Sequence, residues 1–367
     1  MNRIHFVMIG GFLGAGKTTV IGRLARAYVE RGVRVGIVTN DQAANLVDTH
    51  NFRSQGYPVE EISGSCFCCA FDQLVVAVGR LTAAERPDVL LSEPVGSCTD
   101  LVATVVQPLK RHYAERYVTT PLVVLVDPHR AQKILTRAPR GGFSPKAAYI
   151  FEKQLEEADV IAVNKVDTIT DQQRDAVVGL VRQRYSKTPV LSISARTDYG
   201  LHQLHSLLER EGPHGCNIPD VDYDVYAAGE AELGWLNSTV TLSAPEEFDL
   251  DQLLLRLLAV MQDKLGQIGA EPAHLKVVAT AGGSQAIANL VRSDSKPELS
   301  CASGQRASSA HLIVNARVFL DPSELRRALE ESLRTISAPH HIELRMDSAH
   351  AFRPGRPVPT YRYAEAL

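Results

Sequence analysis

The chain has 367 residues, enough for about two domains at roughly 150 residues each. Its 39 basic and 42 acidic residues leave a net charge of -3, with 45% hydrophobic and 22% charged side chains. These values exclude a disordered chain, a fibre and a polybasic nucleic-acid binder.

No apolar run reaches the roughly 18 to 20 residues of a membrane helix, and the opening residues 1–10 run into a glycine loop without a small-residue cleavage site. A cytoplasmic protein without a signal peptide is therefore expected. Three of the six cysteines crowd into Cys66-Phe67-Cys68-Cys69, a spacing foreign to a secreted disulfide framework and suited to metal or redox chemistry.

Apolar runs at 4–9, 33–39, 89–92, 122–127, 160–163 and 190–193 alternate with amphipathic stretches at 17–31, 72–81, 146–158, 171–185 and 201–209. This is the rhythm of an α/β domain with a mostly parallel sheet and helices on both faces. Residues 213–229, with Gly and Pro at their start, read as a linker. Beyond them, strand-like 235–242, a leucine-striped helix 250–265, strands 274–280 and 311–319, a helix opened by Asp321-Pro322 and a short strand 341–345 follow. That order, β-α-β-β-α-β, is a smaller α+β, split-βαβ (ferredoxin-like) domain. The expected organisation is 1–212, linker 213–229, 230–346, and an extended tail 347–367, with 293–309 a mobile loop.

The segment from Gly11 to Thr19, Gly11-Phe12-Leu13-Gly14-Ala15-Gly16-Lys17-Thr18-Thr19, fits the phosphate-binding pattern G-x-x-x-x-G-K-[ST] between a strand and a helix. Its N–H groups and the helix N-terminus suit phosphate oxygens. Lys17 suits the terminal phosphates and Thr18 a Mg²⁺ ion. Asn164-Lys165-Val166-Asp167 offers a carboxylate matched to the guanine N1–H and amine, and Ser194-Ala195-Arg196 fits a second guanine loop, so GTP is expected. Glu93 is placed to hold Mg²⁺ or orient water, and Gly96 to give an N–H to the γ-phosphate. Asp41 and Asp48 are the first-switch carboxylates by position. Lys17, Glu93 and Asp48 are the expected catalytic residues.

Cys66, Cys68 and Cys69 suit Zn²⁺ or Cu(I), with Co²⁺ also admissible. A tetrahedral ion would keep one position for water, Cys98, a carboxylate or a partner's ligand. A helix opened by Asp72 is expected to lower the thiol pKa values. A buried cysteine cluster or a structural zinc is the plainer alternative. His340, His341 and His350 read as surface histidines, and Cys216 and Cys301 as inert.

Together, the glycine loop, Cys66-Phe67-Cys68-Cys69, Glu93-Pro94-Val95-Gly96 and Asn164-Lys165-Val166-Asp167 resemble the CobW-type metallochaperone GTPases, relatives of the nickel-insertion GTPases. The resemblance spans about residues 4–208. It implies a P-loop NTPase fold with a smaller C-terminal domain, GTP hydrolysis with Mg²⁺, and a bound Zn²⁺ or Co²⁺. Expected partners are GTP and GDP, a client metalloprotein and, in a nucleotide-dependent homodimer, a second copy; nucleic acid and membranes are not expected. Two departures from the family pattern stand out. Asn40-Asp41-Gln42-Ala43-Ala44 has Ala44 where the family carries a second acid, and Pro94-Val95 replace two hydroxyl residues. A different class of function, a GTPase chaperone for a corrinoid or other organic-cofactor enzyme with structural cysteines, fits the same motifs.

Overall fold

The computed structural model describes residues 3–42, 47–136 and 144–367, and the chain divides into two compact units. Ala43 and Ala44, where the family pattern is broken, lie outside the described residues. The first unit takes in residues 1–44, 48–229 and 356–367, and the second takes in 230–355 with Val47 counted in it.

In the first unit the elements run β1 (Ile4–Gly11), α1 (Lys17–Glu30), β2 (Val35–Asp41), α2 (Val47–Ser54), β3 (Val59–Ser63), α3 (Phe71–Ala84) and β4 (Val89–Glu93). They continue with α4 (Gln107–His112), β5 (Tyr117–Thr119), β6 (Val123–Val126), α5 (Pro128–Leu135), α6 (Pro145–Glu157) and β7 (Val160–Val163). α7 (Asp171–Arg184), β8 (Val190–Ser192), α8 (Leu201–Leu208) and α9 (Tyr223–Glu230) close the series.

The sheet order is β3-β2-β4-β1-β6-β7-β8, with β5 also paired to β1, and every described pairing is parallel. Strands buried on both faces need apolar residues at consecutive positions. Val7 and Ile9 pack under Val20, Ile21 and Leu24 of α1 and Leu204 of α8. Phe6 and Met8, on the opposite face, are equally buried, and α3 and α6 contact β2 and β1.

The second unit contains β9 (Gly234–Asp249), α10 (Leu250–Gln267), β10 (Pro272–Ala281), β11 (Ser284–Leu290), β12 (Glu298–Cys301), β13 (Arg306–Val318), α11 (Pro322–Ser337) and β14 (Glu343–Phe352). Its sheet is antiparallel in the order β12-β11-β10-β13-β9-β14. The run β14-β9-β13-β10 is the split-βαβ arrangement, and β11 and β12 extend its edge. One sheet face is covered by the stripe Leu254, Leu257, Leu258 and Met261 of α10 and by Leu325, Leu329 and Leu333 of α11. Each such leucine contributes roughly 1.5–3 kcal/mol of burial.

Three expectations are corrected. The linker 213–229 carries α9, whose Tyr226 is fully buried. The loop 293–309 contains β12 and the start of β13, because its backbone pairs with β11 and β9 despite its polar composition. The last strand runs to Phe352 rather than 345, pairing with β9 as far as Trp235. The extended tail beyond it returns to the first unit, where its backbone finds partners.

Candidate functional site

β1 ends at Gly11, and the chain curls through residues 12–16 into α1. Gly16 has φ 96°, and a Cβ there would meet Asn164 Nδ2 at 2.5 Å, so the loop tolerates only glycine at this point. Lys17 is buried and its Nζ donates to Gly11 O at 3.0 Å, inside the loop's own curl. Thr19 faces outward on α1.

Thr18 brings the distant acids together. Its Oγ1 lies 2.9 Å from Asp48 Oδ1 and 3.0 Å from Glu93 Oε1. Glu93 closes β4 and is buried, as parallel strand ends beside the first helix require. Asp41 closes β2 and accepts from the Gln42 N–H at 2.6 Å. Gly96, three residues past β4, lies so close to the glycine loop that a Cβ would meet Leu13 Cδ2 at 2.7 Å and Leu13 Cα at 3.0 Å.

The loops after β7 and β8 interlock with the same curl. Asn164 Nδ2 donates to Ala15 O at 2.9 Å while its Oδ1 accepts from Ala195 N at 3.2 Å. Lys165, in left-handed conformation at φ 62°, donates to Gly14 O at 2.5 Å and pairs with Asp127 at 3.2 Å. Ser194 Oγ donates to Asp167 Oδ1 at 2.6 Å, and that carboxylate is exposed at the loop surface.

The thiol cluster sits in the turn between β3 and α3. Cys66 Sγ lies 2.9 Å from Cys68 Sγ and 3.3 Å from Cys69 Sγ, and the Cys68–Cys69 sulfurs are 3.6 Å apart. Cys66 and Cys68 are buried and Cys69 is half-buried. Asn40, at the end of β2, holds the turn: its Nδ2 donates to Ile62 O at 3.0 Å and Ser65 O at 2.6 Å, and its Oδ1 accepts from Phe67 N at 2.8 Å.

The helix after the turn opens at Phe71, not Asp72, and Ala70 gives it no side-chain cap. The expected lowering of all three thiols is also corrected. Hydrogen bonds with Cys68, then Cys69 and Cys98, hold the Cys66 thiol well below the usual range. The bond to Cys66 and burial push Cys68 well above it, and the bond to Cys66 pushes Cys69 up to about 11. Among the described residues, these three cysteines are the one group of His, Cys, Asp and Glu side chains close enough to share an ion. His340, His341 and His350 are exposed, the first two in a turn rather than on a strand.

Three features escaped the motif reading. Asp127 caps α5 by accepting from His129 N at 3.1 Å and Arg130 N at 3.2 Å, and buried Arg130 donates to Leu13 O. An Asp-Pro helix start was readable there. Asp100, buried at φ 66°, pairs with Arg362 at 2.7 Å and accepts from Tyr223 OH at 2.7 Å. Burial outweighs both partners and raises its pKa.

The third is the segment 356–367. Val358 N donates to Cys69 Sγ at 3.2 Å, Thr360 N to Cys68 O at 2.9 Å and Thr360 Oγ1 to Cys69 O at 3.2 Å. Tyr361 meets Phe71 edge-on at 5.5 Å. Tyr363 N donates at 3.1 Å to Ala103 O, in the π-helical turn Val102–Val106 whose widened spacing frees carbonyls.

Among parallel-sheet folds, a loop that takes up its lysine at the head of the first helix defines the P-loop nucleotide-binding class. This member carries a thiol cluster as well. The chain belongs to the CobW/HypB/UreG nucleotide-binding domain family, whose model matches residues 5–192, which bears out the resemblance read from the motifs.

The chain is 26% identical over 271 residues to the zinc chaperone CobW of Sinorhizobium sp, covering 63% of this chain and 73% of that protein. The zinc chaperone YjiA of Escherichia coli (strain K12) is 21% identical over 180 residues, 47% of this chain and 53% of YjiA, about half of that relative's length. The urease accessory protein UreG of Metallosphaera sedula is 26% identical over 221 residues, 56% of this chain and 93% of UreG.

Proposed function

We propose that this protein is a Mg²⁺-dependent GTPase that carries a thiophilic ion, Zn²⁺ or Co²⁺, on Cys66, Cys68 and Cys69 and passes it to a client protein as the nucleotide state changes. The observation that carries this reading is Asn40. It stands one residue before the end of β2, on the chain that continues to Asp48, the partner of Thr18, and its side chain clamps the cysteine turn. Movement of the segment after β2 would therefore reach the thiols directly. The names of two relatives as zinc chaperones agree with a zinc cargo.

In the nucleotide site, the glycine loop would cradle the phosphates, and Lys17 would stabilise charge on the transferring phosphoryl group. Thr18 and Glu93 would hold Mg²⁺, with Asp48 beside them, and the ion would supply positive charge to offset that of the phosphates. The donor set fits: a hydroxyl and two carboxylates within 3.0 Å contacts suit a hard cation. Glu93 would also orient the attacking water, Gly96 would give its N–H to the γ-phosphate, and Asp167 with Ser194 and Ala195 would read guanine.

Competition titration of Zn²⁺ and Co²⁺ against a chelating indicator, on apo, GDP-bound and GTP-analogue-bound protein, tests this reading, with the Cys66, Cys68 and Cys69→Ser triple variant as blank. Linkage requires the nucleotide to change metal affinity by the factor with which metal changes nucleotide affinity, roughly 5- to 150-fold for a coupling of about 1–3 kcal/mol. Equal affinity in all three states would leave the cysteines structural and favour the organic-cofactor chaperone.

A further inference from the structure

Resting on the reading of the glycine loop as a phosphate site, we propose that Arg130 is a positioning residue for the nucleotide: it pins the Leu13–Gly14 peptide so that the Gly14 N–H serves phosphate. A loop that binds phosphate through its N–H groups must send its carbonyls elsewhere, since a carbonyl oxygen facing a phosphate oxygen repels it. Each carbonyl of residues 12–15 is taken up. Phe12 O accepts from Ala15 N at 3.1 Å, Leu13 O from Arg130 Nη1, Gly14 O from Lys165 Nζ at 2.5 Å and Ala15 O from Asn164 Nδ2 at 2.9 Å.

Two of the three side chains that do this, Asn164 and Lys165, belong to the Asn164-Lys165-Val166-Asp167 motif. Arg130 belongs to none of the nucleotide motifs and comes from the first turn of α5. A trans peptide is planar, with its C=O and N–H on opposite sides. Holding Leu13 O toward Arg130 therefore turns the Gly14 N–H to the other side of the loop. The hold is needed because Gly14 sits at φ 76°, and a glycine there lets the peptide before it rotate at little cost.

The surroundings fix Arg130 in this place. The residue is 2% exposed, and its guanidinium carbon lies 5.7 Å from the centre of the Phe12 ring, which in turn meets Phe151 of α6 edge-on at 6.3 Å. Asp127 accepts from the backbone of His129 and Arg130, so the helix that presents the arginine starts at a set point. The same acid pairs with Lys165 at 3.2 Å and thereby steadies the side chains on two successive loop carbonyls, Leu13 O and Gly14 O. A side chain ordered before the ligand arrives costs nothing to order on binding, so the loop's N–H groups are set in advance.

Titration of GDP and of inosine diphosphate, with phosphate release from GTP alongside, tests this on wild type, Arg130→Met and Arg130→Lys. The methionine fills the buried space without a donor, so GDP affinity should fall by about tenfold or more, and GTP turnover with it. The lysine keeps the charge and one donor but not the planar fork, so its loss should be smaller, about threefold. Because Arg130 acts on the phosphate loop and not on the base, the ratio of GDP to inosine diphosphate affinity should be the same in all three proteins. Circular dichroism checks that each variant is folded, and the lysine variant carries the test alone if the methionine variant is not. Wild-type GDP affinity in either folded variant overturns the proposal. So does a base ratio that changes as much as the GDP affinity, which would make the arginine a general structural support. A wild type that binds neither nucleotide would instead sink the phosphate-site reading, and the proposal with it.

Discussion

The backbone N–H of Val358 donates to the Sγ of Cys69 at 3.2 Å across 289 residues of sequence. With the two bonds from Thr360, it lays segment 356–367 over the cysteine turn. Deleting residues 356–367 should therefore speed the labelling of Cys68 and Cys69 by a soluble disulfide reagent several-fold. Stopped-flow absorbance measures the rates, and identical kinetics in both proteins would show that the segment does not shield the thiols.

Arg362→Ala removes the guanidinium paired with buried Asp100 at 2.7 Å. The arginine is one-third exposed, so the loss should fall below that of a fully buried pair, at about 1–3 kcal/mol. Urea unfolding of both proteins checks this, and coincident midpoints would mean that Asp100 is carried by Tyr223 alone.

Lys17→Ala should reduce GTP turnover by at least about a hundredfold, since the charge opposing the transferring phosphoryl is lost. Phosphate release at saturating nucleotide is the measurement. Near-normal turnover would remove Lys17 from the site.

Asp167→Asn should weaken GTP and favour xanthosine triphosphate, because an amide can donate to the added base oxygen where a carboxylate only accepts. Competition for a fluorescent GTP analogue gives the ratio. Wild-type hydrolysis of ATP at the rate of GTP would refute guanine selection by this loop.

Glu157 gives a pH signature. Its carboxyl is fully buried, burial pushes its pKa up to about 8, and the opposing bonds from Val102 N and Thr99 Oγ1 do not offset it. The folded protein then holds a proton that the unfolded chain releases above pH of about 4.5. Stability should fall as pH rises from about 4.5 to 8, by at most about 1.4 kcal/mol per unit. Glu157→Gln keeps an acceptor for Val102 and a donor for Thr99, so its stability should be flatter across that window and exceed wild type near pH 8. Parallel unfolding curves for the two proteins would refute the buried neutral acid.

Much of the nucleotide unit was legible because parallel strands covered on both faces must be apolar nearly throughout, as 160–163 is and 4–9 is apart from the exposed His5. β3 was not, since Val59-Glu60-Glu61-Ile62-Ser63 lies at the sheet edge and buries only Val59 and Ile62. The glycine loop and the cysteine turn announce themselves by side-chain type. The cover over the turn does not: its bonds come from the main chain of Val358 and Thr360, in a proline-rich stretch whose side chains carry no period. Likewise, Asn40 reads as an unremarkable strand residue until its amide is seen holding both sides of the turn.

Translation separates the cysteine turn from its cover in time. The thiols, the whole parallel sheet and Asp100 are all synthesised before residue 356 exists. During that interval Cys69 lacks its amide donor and Asp100 its guanidinium, so a nascent chain presents the thiols with one side uncovered. A chain stalled before Arg356 would therefore keep the cysteine turn open on the side that Val358 and Thr360 later cover.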